Sequence, residues 1–198
     1  MRKIMTLNEV YAQFAQRAID AGYTQDEIVY GHGDASSPIV LVGEAPGKDE
    51  IRLKRPFVGK AGKNLDEFLE KTGIKRDELF ITNTVKMRPY KISEKGTRSN
   101  RPPNAKEKAL CADCLRQELE TISPKLVVTL GNTALKALLG KDASIGALHG
   151  TVQNMPQGYA LFALYHPASV IYRRELAAVY QEDLLKLREY IDTEMQIK

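Results

Sequence analysis

Four short runs of consecutive apolar residues divide the chain and predict buried strands. They span residues 39–42, 79–81, 126–130 and 160–164. Because apolar residues follow one another in these runs instead of alternating with polar ones, both faces of each strand should be covered. The runs therefore predict a central, mainly parallel sheet of four strands.

Amphipathic patterns lie between these runs and predict the helices that cover the sheet. Apolar residues recur at helical spacing in 61–69, 111–122 and 176–191, and further helices are expected near 7–21 and at 133–139, the latter capped by Asn132. Strands that alternate with helices predict an α/β fold, a three-layer α/β/α sandwich. The length of 198 residues fits one domain, which we expect to span 1–198.

Polar residues follow the predicted strands at the edge where open α/β sheets bind ligands. The turn GEAPG (43–47) follows the first strand, Asn83 follows the second, and His166 follows the fourth. A carboxylate, an amide and an imidazole on one rim can form a catalytic set. Each also has an ordinary interpretation, as a strand-exit turn, a turn asparagine or a packed loop histidine.

Positive charge is concentrated in one segment of the chain. The formal net charge is +4, but residues 86–108 contain eight lysines and arginines against two acidic residues. A basic segment on a near-neutral body favours a polyanionic partner, and a solvated loop is the alternative.

Composition excludes several classes of protein. Hydrophobic residues make up 43% and charged residues 27%, which excludes a mainly disordered chain. The sequence has no apolar run approaching the ~18 residues of a membrane span, and its first residues do not resemble a secretory signal. Two cysteines cannot form a disulfide framework, so we expect a cytoplasmic protein. Cys111 and Cys114 have redox or metal spacing, but both lie on an apolar helical stripe and are interpreted as core residues.

Five motifs occur in an order that resembles one enzyme family. They are GEAPG (43–47), RPFVGKAG (55–62), NTVKMRP (83–89), NRPP (100–103) and YHPA (165–168). Together they resemble the family-four uracil-DNA glycosylases of bacteria and archaea over about residues 29–190. The resemblance implies a hydrolase of DNA base excision repair that flips uracil out of DNA and leaves an abasic site. A glycosylase for another deaminated base and a non-catalytic nucleic-acid-binding member of the fold are the alternatives.

The resemblance implies a role for each residue of the rim. Phe57 would stack on the flipped base, unless it is a core residue, and the Asn83 amide would read O4 and N3–H of uracil. His166 would donate to O2 of the departing base. Glu44 and Glu50 are both candidates for stabilising the sugar and orienting the water, with Asp49 as a third.

Other positions are implied to line the base pocket or to bind DNA. Ala45 lies in the pocket, where other glycosylase families carry a catalytic aspartate. The residues expected to contact DNA are Gly59, Lys60, Gly62, Arg101, Ser169, Arg173 and Arg174. Residues 170–172 could form a wedge pushed into the base stack, or belong to the core.

The chain departs from this family at its cysteines. Members typically hold a four-iron, four-sulfur cluster with four cysteines, whereas here Met87 occupies one ligand position and only Cys111 appears at another. One thiolate cannot hold such a cluster, so we expect no cofactor and no metal. The basic loop at 91–99 is also longer than usual, and Lys54 replaces a glycine. We expect a monomer whose partner is uracil-containing DNA and which does not associate with membranes.

Overall fold

A computed structural model describes residues 5–173 and 175–195 and contains a six-stranded sheet. The strands of the protein are β1 (His32–Gly33), β2 (Ile39–Gly43), β3 (Phe80–Asn83), β4 (Tyr90–Ile92), β5 (Arg98–Asn100), β6 (Leu126–Leu130), β7 (Val152–Asn154) and β8 (Ala160–Leu164). The order in the main sheet is β1-β3-β2-β6-β8-β7, and β4 and β5 form a separate hairpin.

The four predicted strands form the parallel centre of the sheet. β2 pairs in parallel with β3 and β6, and β6 pairs in parallel with β8. The prediction of a four-stranded sheet is corrected by β1 and β7, which add antiparallel edges. These edge strands have two and three residues and lack buried side chains, so they show no apolar run.

Eight α-helices are described around the sheet. They are α1 (Leu7–Asp20), α2 (Lys48–Leu53), α3 (Lys60–Thr72), α4 (Ala105–Ile122), α5 (Asn132–Leu139), α6 (Ile145–Leu148), α7 (Pro167–Tyr172) and α8 (Leu176–Tyr190). Short 3-10 turns lie at Gln25–Glu27 and Arg76–Glu78, and a π-helical turn at Ile191–Met195 follows α8. Gly131, not Asn132, caps α5; the Asn132 side chain instead accepts a hydrogen bond from the Ile145 N–H, which joins α5 to α6.

The core has one part on each face of the sheet and a third part outside it. Ile39 and Leu41 of β2 pack with residues of α3 and α8, whereas Val40 and Val42 pack with residues of α4 and α5. This alternation is that of a strand covered on both faces, and it confirms the layered α/β architecture. Across the described part of the chain, the helices fall short of the length and apolarity needed to span a bilayer.

The third part of the core joins α1 to α4. Val10 and Phe14 of α1 pack there with Met87, Cys111 and Cys114. Parallel strands of one sheet end at the same edge. The residues that follow Val42 in β2, Thr82 in β3 and Leu164 in β8 therefore lie on one rim of the sheet, beside this cluster.

Candidate active site

Gly43 is the point at which the predicted rim residues meet. A Cβ atom at this glycine would lie 2.4 Å from Phe57 Cζ and 2.5 Å from Asn83 Oδ1. The rings of Phe57 and His166 stack with their centroids 5.8 Å apart and their planes 29° apart. The structure therefore places Phe57, Asn83 and His166 beside one another at the end of β2.

Phe57 is held in a strained backbone conformation. Its φ angle is 53°, in the left-handed region that non-glycine residues rarely adopt. The Arg76 guanidinium donates to the carbonyl oxygens of both Pro56 and Phe57 at 2.9 Å. A Cβ at Gly62 would lie 1.9 Å from the Phe57 oxygen, so only glycine allows this approach. These contacts fix the Phe57 backbone, and the residue is only 6% exposed.

Asn83 carries a buried hydrogen-bond acceptor. The residue is 3% exposed, and its Oδ1 has no hydrogen-bond partner among the described residues. An unpaired buried acceptor costs about 1–3 kcal/mol, which a ligand that donates a hydrogen bond can recover. The main-chain oxygen of Asn83 is held by Lys86 Nζ at 2.7 Å.

His166 is a neutral donor. Its Nδ1 accepts the Ala168 N–H at 3.1 Å, so its ring proton lies on Nε2, and burial lowers its pKa to about 4. The same contact caps α7. Gly131, at φ 90°, makes room for the histidine, because a Cβ there would lie 3.0 Å from His166 Cβ.

The two candidate carboxylates have different surroundings. Glu44 is half-buried, and its Oε2 accepts the Thr133 hydroxyl at 2.5 Å. Glu50 Oε1 accepts the N–H groups of Val58 and Gly59 at 3.0 and 2.8 Å, and its Oε2 accepts that of Gly47 at 3.0 Å. Three backbone donors therefore engage Glu50 in joining the GEAPG turn to the start of α3. Glu44 therefore contacts a hydroxyl, Glu50 contacts backbone N–H groups, and Asp49 pairs at the surface with Arg52.

Three residues expected to contact phosphate have structural roles. The N–H of Gly59, the residue before the first turn of α3, donates to Glu50 Oε1, so it is not free for a phosphate. Gly62 is buried against the Phe57 carbonyl. Arg101 is paired through both terminal nitrogens with Glu107, at 2.8 and 2.7 Å, and its Nε donates to the Tyr90 oxygen.

The remaining predicted residues differ in exposure and contacts. Lys60 is exposed at the first turn of α3, Ala45 is partly buried against the α1–α4 cluster, and the Ser169 N–H donates to the His166 oxygen. Arg173 is exposed at the end of α7. Arg174 lies outside the described residues. Of the expected wedge, the structure describes the side chain of Val170, which packs against the core.

Sequence reasoning missed a buried charged network behind Asn83. Lys86 and Glu118 are fully buried, and Lys86 Nζ donates to Glu118 Oε2 at 2.5 Å, to Thr82 Oγ1 at 2.6 Å and to the Asn83 oxygen at 2.7 Å. The Tyr11 hydroxyl donates to Glu118 Oε1 at 2.8 Å. Lys86 therefore does not belong to the exposed basic surface. A glutamate within the apolar stripe of α4 was the available signal.

The residues in the α1–α4 cluster do not fit an iron–sulfur group. Cys111 and Cys114 are the two cysteines of the chain, both buried and free, and Cys111 Sγ lies 3.7 Å from Met87 Sδ. Burial raises the pKa of these thiols to about 11 and about 12, and two thiols are fewer than the four protein ligands that such a cluster needs. Within residues 5–173 and 175–195, no group of three or more potential metal-binding side chains occurs.

The Phe57 ring, the unpaired Asn83 amide oxygen and the neutral His166 imidazole are groups with which a nucleobase can stack and form hydrogen bonds. The model of the uracil DNA glycosylase superfamily matches residues 30–188, and the chain belongs to that superfamily.

Similar proteins include curated relatives and one solved structure. The chain is 36% identical over 180 residues to the type-4 uracil-DNA glycosylase of Archaeoglobus fulgidus, covering 87% of this chain and 86% of that protein. It is 36% identical over 170 residues to that of Thermotoga maritima, covering 84% of each. The crystal structure of Pedobacter heparinus SMUG2 aligns with a TM-score of 0.59 at 15% identity, over 98% of this chain and 100% of that chain, which supports the fold.

Proposed function

We propose that this protein is a monofunctional uracil-DNA glycosylase. It draws a uracil nucleotide out of DNA and hydrolyses the N-glycosidic bond, which leaves an abasic site. The observation that carries the proposal is the buried, unpaired Oδ1 of Asn83 beside the fixed ring of Phe57. Relatives described as type-4 uracil-DNA glycosylases support the same activity.

Base selection rests on the two ends of one amide. Asn83 Oδ1 accepts N3–H of uracil while Nδ2 donates to O4, and Phe57 stacks on the ring. Cytosine presents an acceptor at N3 and a donor at N4, so both contacts would be mismatched, at about 1–3 kcal/mol for each unpaired group. Lys86 holds the Asn83 main chain and thereby helps to orient this amide.

Bond cleavage separates charge between base and sugar. The C1′–N1 bond breaks, its electron pair leaves with uracil, and water adds to C1′. His166 donates its Nε2–H to O2 and stabilises the departing anion, a contribution of ~2.7–4 kcal/mol for a positioned donor. Glu44 stabilises the cationic sugar and accepts a proton from the water, while Glu50 acts as a positioning residue through its backbone contacts.

The proposal includes activity without a metal cluster. The chain has two cysteines, and apolar side chains of α1 and α4 pack around Met87 and Cys111. We further propose a monomer that acts on DNA in the cytoplasm, since its two cysteines are free thiols suited to a reducing compartment. Elemental analysis should find no stoichiometric iron. Iron together with visible sulfide-to-iron absorbance would contradict this part of the proposal.

The central test is excision from uracil-containing single- and double-stranded oligonucleotides with a chelator present. The parent should release uracil from both single- and double-stranded oligonucleotides. Asn83→Asp should lose its selectivity for uracil, because a carboxylate cannot donate to O4. Asn154→Asp, an exposed change on β7, is the matched control and should excise at the parental rate. Release of hypoxanthine or xanthine but not uracil would favour another deaminated base. Binding of uracil-DNA without any cleavage would favour a non-catalytic module.

A further inference from the structure

The β4–β5 hairpin reaches the GEAPG turn, where Asn100 lies close to Gly47. Every residue from 91 to 100 is exposed. Its base is fixed, because the Arg101 N–H donates to the Pro89 oxygen and the Arg101 guanidinium holds Glu107 at the start of α4. The hairpin is therefore an anchored projection with an uncovered tip.

One face of the hairpin is directed towards the GEAPG turn. Tyr90 pairs with Asn100 and Ile92 with Arg98, so these four side chains share a face, and Lys91 and Ser99 share the other. Asn100 Nδ2 lies 3.2 Å from the position that a Cβ at Gly47 would take, and Arg88 Nε holds Asn100 Oδ1 at 2.7 Å. We call the face formed by Tyr90, Ile92, Arg98 and Asn100 the inner face.

The inner face combines an uncovered apolar side chain with a cation. Ile92 is 62% exposed, and the guanidinium of Arg98 lies over the Tyr90 ring at 4.5 Å. Lys91, Lys95 and Arg98 outnumber the single acid of the hairpin, Glu94. An exposed apolar residue between cations suits a nucleic acid, whose bases lie between lines of phosphates.

We propose that the inner face of the β4–β5 hairpin binds duplex DNA beside the extruded nucleotide. Ile92 packs against the base stack that opens when the nucleotide leaves, and Arg98 contacts a backbone phosphate next to it. This inference rests on the proposed function and assigns the hairpin a part in nucleotide extrusion. It accounts for an exposed apolar residue in a basic loop.

The test compares Ile92→Ser with Leu185→Ser, which makes the same kind of change at a side chain 67% exposed on α8. Single-turnover excision is measured on duplex and single-stranded uracil substrates, with 2-aminopurine beside the uracil to report extrusion. Ile92→Ser should slow duplex excision and extrusion about tenfold, because the unstacked step loses its packing partner. Excision from single strands should remain at the parental rate, and Leu185→Ser should match the parent on both substrates.

A second variant tests the phosphate contact. Arg98→Gln should weaken duplex binding and reduce the slope of log affinity against log salt by about 0.9. Parental duplex excision, extrusion and salt slope in Ile92→Ser and Arg98→Gln would overturn the inference while leaving the proposed function intact. A change in oligomeric state of Ile92→Ser without any change on duplex DNA would assign the face to a second copy and also overturn it. Absence of uracil excision by the parent on both substrates would instead refute the proposed function.

Discussion

Replacing Lys86 by methionine should destabilise the protein by about 3–5 kcal/mol, because it leaves the Glu118 carboxylate buried without its cation. Lys86 Nζ donates to oxygens of Glu118, Thr82 and Asn83. The hydroxyls of Tyr11 and Thr82 also donate to the Glu118 carboxylate. For a chain of this size, that loss lowers the melting temperature by roughly 6–20 °C.

The double variant Lys86→Met with Glu118→Gln separates stability from catalysis. Glutamine removes the unpaired charge and still offers an acceptor to Tyr11, so most of the lost stability should return, to within about 1–2 kcal/mol of the parent. Uracil excision should be impaired in the double variant as in Lys86→Met, because in both the Asn83 main-chain oxygen lacks its Nζ donor.

Thermal melting and single-turnover excision of the parent, both single variants and the double variant complete the cycle. A double variant that excises uracil at the parental rate would show that Lys86 does not position Asn83. A Lys86→Met protein that melts with the parent would refute the energetic argument for the buried pair. Recovery of the maximal single-turnover rate without recovery of the half-saturating enzyme concentration, or the reverse, would locate the effect in chemistry or in base capture.

Three further predictions concern His166 and Gly43. His166→Ala should lower the single-turnover rate by about two orders of magnitude or more with little effect on DNA binding, as measured by excision and by titration of DNA. Because burial holds the His166 pKa near 4, below its ordinary value of 6.5, the unfolded chain binds more protons between these values. Stability should therefore fall by up to about 3 kcal/mol as the pH drops from 7 to 4. Urea unfolding across this range should show a weaker pH dependence in His166→Gln; equal curves would refute the assignment. Gly43→Ala should reduce excision at least about tenfold by displacing Phe57 and Asn83, whereas Gly146→Ala, whose Cβ meets nothing closer than 3.8 Å, should match the parent in the same assay.

The central strands could be predicted because burial on both faces leaves a direct trace in the sequence. Each of the runs at 39–42, 126–130 and 160–164 lies within an observed strand, and the run at 79–81 begins one residue before β3. β1 and β7 have no apolar run in the sequence. These edge strands are held by backbone hydrogen bonds to the neighbouring strand and not by burial of their own side chains. The hairpin, exposed throughout its tip, was visible only as an excess of charge.

The rim residues could be predicted for a topological reason, and their partners could not. Parallel strands bring Asn83 and His166 to one edge whatever the detailed packing. The sequence did not show which of the carboxylates Glu44 and Glu50 would accept hydrogen bonds from the backbone N–H groups of the turns. Likewise, the charge of Lys86 and Arg101 indicated that both side chains are exposed. In the structure each is paired with an acid, 32 and 6 residues away along the chain.

The two buried thiols allow the rate at which α1 separates from α4 to be measured. Cys111 and Cys114 carry pKa values raised to about 11 and about 12, so almost none of either exists as thiolate at neutral pH. An alkylating reagent can modify them only while this part of the protein is open. The rate of labelling therefore reports how often α1 separates from α4. Labelling in the presence and absence of DNA would show whether substrate slows this opening, and it would require no probe to be introduced into the chain.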